Sequence, residues 1–462
     1  MNGNSMIKTV VDNDMCIGCG MCAAQSKTDA IQMKMNQFGF YTANVSDTDT
    51  DTDTDTDTDK CNDDCIKVCP FNPKPDDKVK TENEIAELFL TQASNHHNKM
   101  GRYINTYAGY SVEHRLTSSS GGIATYTLTE LMRRGEIQHV ISVKAGPNTA
   151  HYQYTISSSI DELASAAKTK YYPVTLADAL KDINKLDGKV AIVGVACFIK
   201  AIRLAQVYDP IFNDKVGFLI GIICGGVKST FFAEYLASKA GAPVSGFTQP
   251  EFRIKDHSST ASDYSYGCLD KDDNQLTIKM RKVGDMWGTG LFKANACDYC
   301  DDVTTELADL SLGDAWLEPY SSDGRGTSVL VTRSNLAEDI IKAGIANGEL
   351  VIDELPEERF LASQQGSFNH RHDGLAYRIK IGKTPLDAIP PKRFTDTSLS
   401  PLLKIIHRLR IATRKMSLLV WAGSKESHVF DHKMQRSLYW LKFFTRISHY
   451  QRAIIRRLKK VL

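Results

Sequence analysis

Hydrophobic positions recur along the chain in distinct rhythms. Near-continuous apolar runs rich in Val and Ile occupy residues 139–145 (HVISVKA), 189–196 (KVAIVGVA) and 216–224 (VGFLIGIIC). Such runs predict strands buried on both faces. Between them, Ile123 to Arg134 and Leu176 to Leu186 carry apolar residues at helical spacing. Strands alternating with helices predict an α/β domain over residues 100–390, closed by Pro390 and Pro391. Residues 400–462 read as a helical tail. There Leu402, Leu403, Ile405, Ile406 and Leu409, and later Trp440, Phe443, Phe444, Ile447, Ile454, Ile455 and Leu458, recur at helical spacing. The longest apolar run, Val216 to Val227, is too short to span a bilayer.

Composition changes this picture in two places. Across 462 residues, 42% hydrophobic and 24% charged is ordinary globular usage, which excludes a wholly disordered or fibrous chain. No basic start with an apolar stretch opens the sequence, so a cytoplasmic location is expected. The net charge of +1 conceals a basic tail. Fifteen Lys/Arg face two acidic residues from Pro401 to Leu462. Two readings of that tail stand: helices lying on the anionic inner face of a membrane, or a helical pair packed on the core with a solvated face. No nucleic-acid partner is expected, because no nucleic-acid-binding fold accompanies the basic stretch. The second place is Asp47 to Asp59, where Asp and Thr alternate strictly. Carboxylates at every second position repel and bury nothing, so residues 47–59 read as a flexible acidic insertion. A calcium loop fits poorly, since the turn Gly and bidentate Glu of that motif are missing.

Eleven cysteines in a chain expected to stay reduced point to metal ligation rather than disulfides. CIGCGMC sets Cys16, Cys19 and Cys22 at C-x₂-C-x₂-C spacing, with Gly18 and Gly20 permitting tight turns. Cys69, followed by Pro70, supplies the distant fourth ligand of a bacterial-ferredoxin pattern. Ser26 stands at the local fourth position, so a single 4Fe-4S cluster is expected here, with Cys61 and Cys65 as spare thiols or alternative ligands. A four-thiolate zinc site is the competing reading. A second set is scattered. Cys197 and Cys224 close two predicted strands, and Cys297 and Cys300 form C-x₂-C. Strand ends of a parallel sheet converge on one edge, so these four suffice for a second cluster. Taken alone, Cys197 and Cys224 also suit buried core thiols. Cys268 has no partner pattern and reads as structural. SSSGG, Ser118, Ser119, Ser120, Gly121 and Gly122, precedes a predicted helix. It reads as a plain helix start or as a loop whose amides approach a phosphate or ring.

These pieces, in order with CPF (69–71), TKYYPV (169–174), FRIK (252–255) and ADLSLGDAW (308–316), resemble the family of beta subunits of coenzyme F420-reducing hydrogenases and dehydrogenases. The resemblance covers roughly residues 10 to 385. It departs at Gly194-Val195-Ala196-Cys197, where the family usually shows G-T-P-C, and in the Asp-Thr tract and the tail. The resemblance implies an α/β (α+β overall) architecture, with an N-terminal ferredoxin-like 4Fe-4S module (1–80) fused to a flavin-binding domain. It implies two 4Fe-4S clusters and FAD near Ser118 to Gly122, with Arg115 and Lys170 as candidate anion or flavin contacts or else surface charges. Asp309 and Asp314, which follow the C-x₂-C, tune the second cluster, assist proton delivery during flavin reduction, or merely shape a turn. The expected activity is an iron–sulfur flavoprotein oxidoreductase, fed by ferredoxin or another one-electron donor and acting on a small organic substrate, in some bacterial members within polysaccharide biosynthesis. A non-catalytic electron-transfer subunit of a hydrogenase or dehydrogenase, and a membrane-associated scaffold, are the alternatives.

Overall fold

The computed structural model describes residues 3–26, 30–45, 65–146, 151–396 and 398–461. The Asp-Thr tract and Cys61 lie outside them. A helix, Gly3–Asp12, leads into the first cysteine loop and then a hairpin of β1 (Ile31–Met35) and β2 (Tyr41–Val45). A second short hairpin, β3 (Asn95–His97) with β4 (Gly101–Tyr103), precedes the main sheet.

That sheet has eight strands. β5 (Asn105–Ser111), β6 (His139–Ala145), β7 (Tyr152–Ser157), β8 (Val190–Val195) and β9 (Val216–Ile222) come first in sequence. A separate antiparallel sheet follows, β10 (Thr248–Ile254), β11 (Ser265–Leu269) and β12 (Gln275–Lys279). β13 (Leu310–Asp314), β14 (Ser328–Thr332) and β15 (Leu350–Glu354) then complete the main sheet in the order β15-β5-β14-β13-β9-β8-β6-β7. Its centre, β6, β8, β9 and β13, is parallel, while both flanks are antiparallel. The three strands expected from apolar runs are therefore adjacent members of the parallel block. Val190, Ala191, Ile192, Leu219 and Ile220 have no solvent exposure, as burial on both faces requires.

Helices Ile123–Arg133 and Asn335–Ala346 cover one face of the sheet. The other face carries helix Ala196–Tyr208 and a larger core that runs into the N-terminal segment through Ile7, Val10, Met15 and Val68. The helix expected over 176–186 is shorter. It runs Ala177–Lys181, Asp182 leaves helical geometry, and a 3₁₀ turn Ile183–Lys185 follows.

The tail forms two helices, Pro401–Ser424 and Ser427–Val461. Ser400 caps the first by accepting from the Leu403 amide, and Pro401 suits its first turn. A hydroxyl pair, Thr413 with Ser437 at 2.6 Å, joins the two helices. Leu418, Trp421, Phe430 and Met434 enter the larger core, so one face of the hairpin packs on the body. Among the described residues, no helix is long and apolar enough to cross a membrane.

Candidate functional site

The first thiol set forms on a tight loop. Gly18 and Gly20 adopt left-handed φ of +79° and +81°, and a Cβ on Gly18 would come within 2.7 Å of the Tyr41 carbonyl oxygen. Cys16 and Cys19 lie on that loop, Cys22 on the following turn Met21–Ala24, and Cys69 one helical turn past Cys65. The Cys22 sulfur feels Cys19, Cys16, Cys69 and Cys65, so the distant pair does return to the local motif. Burial pushes the Cys19 thiol up to about 12 and Cys22 and Cys69 well above their usual value. Backbone amides oppose this: Gly18 and Ala43 donate toward Cys16, Gly20 and Met21 toward Cys19, and Phe71 toward Cys69. Buried thiolates that repel one another need a positive centre and amide donors.

The second set is assembled by the sheet. Parallel pairing of Val195 with Ile222 brings the ends of β8 and β9 side by side. Cys197 follows β8 in the first turn of helix Ala196–Tyr208, where the dipole favours negative charge, and Cys224 follows β9. Cys297 and Cys300 arrive on a 3₁₀ turn, Asn295–Tyr299. Burial, then Cys297, Cys300 and Cys224 in that order, raises the Cys197 thiol well above its usual value, so the four expected residues do converge. The Gly226 amide donates to the Cys224 Sγ at 3.2 Å, and the Val227 amide to the Cys297 Sγ at 3.2 Å. Among the described residues, no three His, Cys, Asp or Glu side chains are close enough to hold one metal ion. Converging buried sulfurs with backbone amides aimed at them suit a thiolate-held metal centre, whether an iron–sulfur cluster or zinc. Cys19 of the first set also acts on Cys197, so the two sets adjoin. Cys268 sits on β11, 3% exposed and beside Tyr266, apart from both.

Next to the second set lies a cavity of about 720 Å³. Ser118, Ser119, Ser120, Gly122, Lys170 and Cys224 all line it. The serine loop is fixed from outside. The Ser119 hydroxyl accepts from the Thr169 amide at 2.8 Å, Ser120 donates to the Thr327 carbonyl at 3.0 Å, and Lys255 donates to the Ser120 carbonyl at 2.7 Å. Gly122 takes φ of +81° at the N-cap of helix Ile123–Arg133. Burial pushes Lys170 down to about 7, and its ammonium donates to the Ala167 carbonyl at 2.6 Å.

Three expectations shift. Gly121 does not line the cavity; a Cβ there would stand 2.4 Å from the Gly109 carbonyl oxygen, so it serves close backbone packing. Arg115 is also outside the lining. It pairs with Asp323 at 2.9 Å, donates to the Gly326 carbonyl at 2.8 Å and stacks on Tyr110, all of which anchor the serine loop rather than a ligand. Asp309 pairs with Arg203 at 3.1 Å and accepts from the Leu219 amide, a purely structural post. Asp314, by contrast, lines the cavity and pairs with Arg253 at 2.6 Å.

Sequence reasoning missed several residues. Lys228, 2% exposed, lines the cavity against Trp287, and burial pushes it down to about 7. Arg253 supplies a buried cation beside Tyr264. Arg371 donates to the carbonyls of Cys224 and Asp302, joining the two arms of the second set. FRIK, read only as a piece of the ordered pattern, contains Arg253; nothing local marks Arg371.

The tail reaches this site. Arg414 pairs with Asp298 at 2.9 Å, between Cys297 and Cys300, and donates to Asn295 at 2.6 Å. Ser417 accepts from the Phe292 amide at 3.0 Å, and Arg410 donates to the Gly288 carbonyl at 2.9 Å. The first tail helix therefore straps the segment from Gly288 to Cys300 to the body.

Two family models match. The N-terminal part of the coenzyme F420 hydrogenase/dehydrogenase beta subunit covers residues 106–181, and its C-terminal part covers 187–358. The chain belongs to the family of coenzyme F420 hydrogenase/dehydrogenase beta subunits. Relatives include a component of the F(420)H(2) dehydrogenase of Methanosarcina mazei, 21% identical over 66% of this chain and 77% of that protein. The beta subunit of the coenzyme F420 hydrogenase of Methanosarcina barkeri is 23% identical over 54% of this chain and 81% of its own length. The coenzyme F420-dependent sulfite reductase of Methanocaldococcus jannaschii is 23% identical over 64% of this chain and 43% of its own length. A solved F420-reducing [NiFe] hydrogenase complex from Methanosarcina barkeri contains a chain matched with TM-score 0.48 at 20% identity, over 63% of this chain and 97% of that one. Membership of this family places the chain among oxidoreductases. The second thiol set and most of the cavity wall fall within the matched segments, while the first thiol set and the tail fall outside them.

Proposed function

We propose that this family member is an electron-transfer subunit that exchanges electrons between a protein partner and a coenzyme F420-type deazaflavin. Cys16, Cys19, Cys22 and Cys69 hold one 4Fe-4S cluster, Cys197, Cys224, Cys297 and Cys300 hold a second, and FAD occupies the cavity. Bound clusters supply one-electron steps, and a bound flavin converts them into two-electron chemistry. The observation that carries the reading is the double position of Cys224, which belongs to the second thiol set and also lines the cavity. Cys19 against Cys197 supports the same line of centres at its other end.

The chain's own residues have defined tasks in this reading. Amides of Gly226 and Val227 stabilise thiolate sulfur. Ser118 to Ser120 and Gly122 accept the cofactor against a helix N-terminus. Lys170 and Lys228 supply cations to its anionic portion, and Trp287 and Tyr171 exclude water from its ring. The named relatives favour this electron-transfer role over one in polysaccharide biosynthesis. Ferredoxin, or a hydrogenase or dehydrogenase subunit, is the electron partner it requires.

Anaerobically purified full-length protein tests the reading. Flavin absorption bands over a broad cluster shoulder, bleached by reduced coenzyme F420, are expected. A colourless protein carrying stoichiometric zinc would leave the scaffold alternative. Flavin bands that reduced F420 does not bleach would remove the deazaflavin and keep the flavoprotein.

A further inference from the structure

The second tail helix presents two opposite faces. Phe430, Met434, Leu441 and Ser448 are buried against the body or the first tail helix. At 100° per residue the opposite side carries Arg436, Tyr439, Phe443, Arg446, Tyr450 and Ile454 in one strip, with Trp440 at its edge. Tyr439 is 60% exposed, Trp440 43%, Phe443 42% and Tyr450 72%. The rings of Tyr439, Trp440 and Phe443 contact one another and make a continuous aromatic surface. Single exposed apolar residues need no explanation, but a contiguous aromatic strip does.

Charge singles out the occupant. Exposed Lys433 and Lys442 border the strip, and exposed Arg436 and Arg446 stand within it. From Ser427 to Leu462 the sequence has nine Lys/Arg and one acidic residue, Asp431. Asp431 is already engaged by Lys239 at 2.7 Å and Tyr235 at 2.7 Å, so it offers nothing to an incoming cation. Arg410, Arg414 and Lys425 turn inward to Gly288, Asp298 and Glu234, while Lys404, Arg408 and Lys415 of the first tail helix stay exposed and add to the outward positive charge. Aromatic rings that sit at headgroup depth, ringed by cations and lacking carboxylates, match an anionic lipid surface. An anionic protein surface would also attract the cations, but it would leave a strip of this length and curvature to be matched by a rigid partner. We infer that the exposed face of helix Ser427–Val461 docks the protein onto an anionic bilayer surface, peripherally and without crossing it.

The geometry selects the test. Removing the tail would also cut Arg414 away from Asp298 and disturb the second thiol set, so truncation cannot separate docking from folding. Two full-length variants do: Trp440→Ser with Phe443→Ser, and Arg436→Glu with Arg446→Glu. Flotation with phosphatidylglycerol-containing vesicles should carry the wild-type protein, while pure phosphatidylcholine vesicles should not. High salt should release it, since surface charge is screened within about 10 Å at 0.1 M. Each double variant should bind at least about tenfold more weakly, with iron content unchanged as the folding control. Equal flotation of wild type and both variants, or none by wild type at low salt, overturns the proposal. A vesicle-free dimer that Trp440→Ser with Phe443→Ser converts to monomer overturns it too, and assigns the strip to a second copy.

Discussion

The two thiol sets reach similar ends by opposite means. The first takes three thiols from seven consecutive residues, on a loop with left-handed Gly18 and Gly20, and its fourth, Cys69, from further along the chain. The second takes its ligands from the ends of two parallel strands and from a loop some seventy residues further on, and Arg371 and Arg414 come from still later in the chain to hold it. A local motif depends on its own spacing. A set built by the sheet depends on every element that keeps the sheet edge and its loop in register.

Cysteine removal breaks the comparison most severely. In the proposed two-cluster reading, Cys16→Ala should abolish one cluster and Cys197→Ala the other, each lowering iron from about eight to about four per chain. Iron and acid-labile sulfide analysis reads this directly. Loss of all iron in Cys197→Ala alone would mean that the first set also depends on the sheet.

Arg414→Ala sharpens the contrast without touching a ligand. It leaves Asp298 buried between Cys297 and Cys300 with one cation fewer, and breaking a buried pair costs about 3–5 kcal/mol. Lys293 remains at 2.7 Å and moderates the loss. Iron in the second set should fall while the first keeps its own, and unfolding by urea should shift to lower concentration. Electron paramagnetic resonance of the reduced protein distinguishes the two losses.

Gly121→Val has a smaller effect. The new side chain meets the Gly109 carbonyl and Ser328 rather than the cavity, so strain of about 1–3 kcal/mol should appear as lower thermal stability. Flavin content should drop only as far as the serine loop moves. Smallest of all is a pH effect at Lys170. Its ammonium is charged below about 7 and neutral above, so an anionic ligand should bind more tightly as pH falls through that value. Lys170→Met should flatten the dependence by roughly fivefold, the scale of a partly exposed ion pair. Flavin fluorescence titration at several pH values measures it.

Legibility in the sequence follows the same division. HVISVKA, KVAIVGVA and VGFLIGIIC announced their strands because burial on both faces leaves a continuous apolar run. CIGCGMC announced its loop because spacing and glycines are local. Arg115 misled, since a cation beside a serine loop looks the same in sequence whether it binds a ligand or pairs with Asp323. Gly121 misled for a related reason: a glycine needed for close approach does not say what approaches. Lys228, Arg253 and Arg371 are given meaning only by contacts across some sixty to one hundred and fifty residues, and no window of sequence contains them. The basic tail was half legible, because its charge count did not reveal that Arg410 and Arg414 face inward.

The seam between the first cysteine loop and the α/β body has a consequence for how the protein is made. The Leu176 amide donates to the Cys19 carbonyl at 2.9 Å, and a Cβ on Gly20 would strike the Thr175 hydroxyl. Cys19 is buried behind this joint, while Cys16, Cys22 and Cys69 keep partial exposure. Ligand thiols that find one another only in the folded chain bind metal and fold in one coupled event. For the proposed cluster, loading and closing of this joint are therefore linked, and protein matured in iron-starved cells should regain iron more fully after partial unfolding than without it.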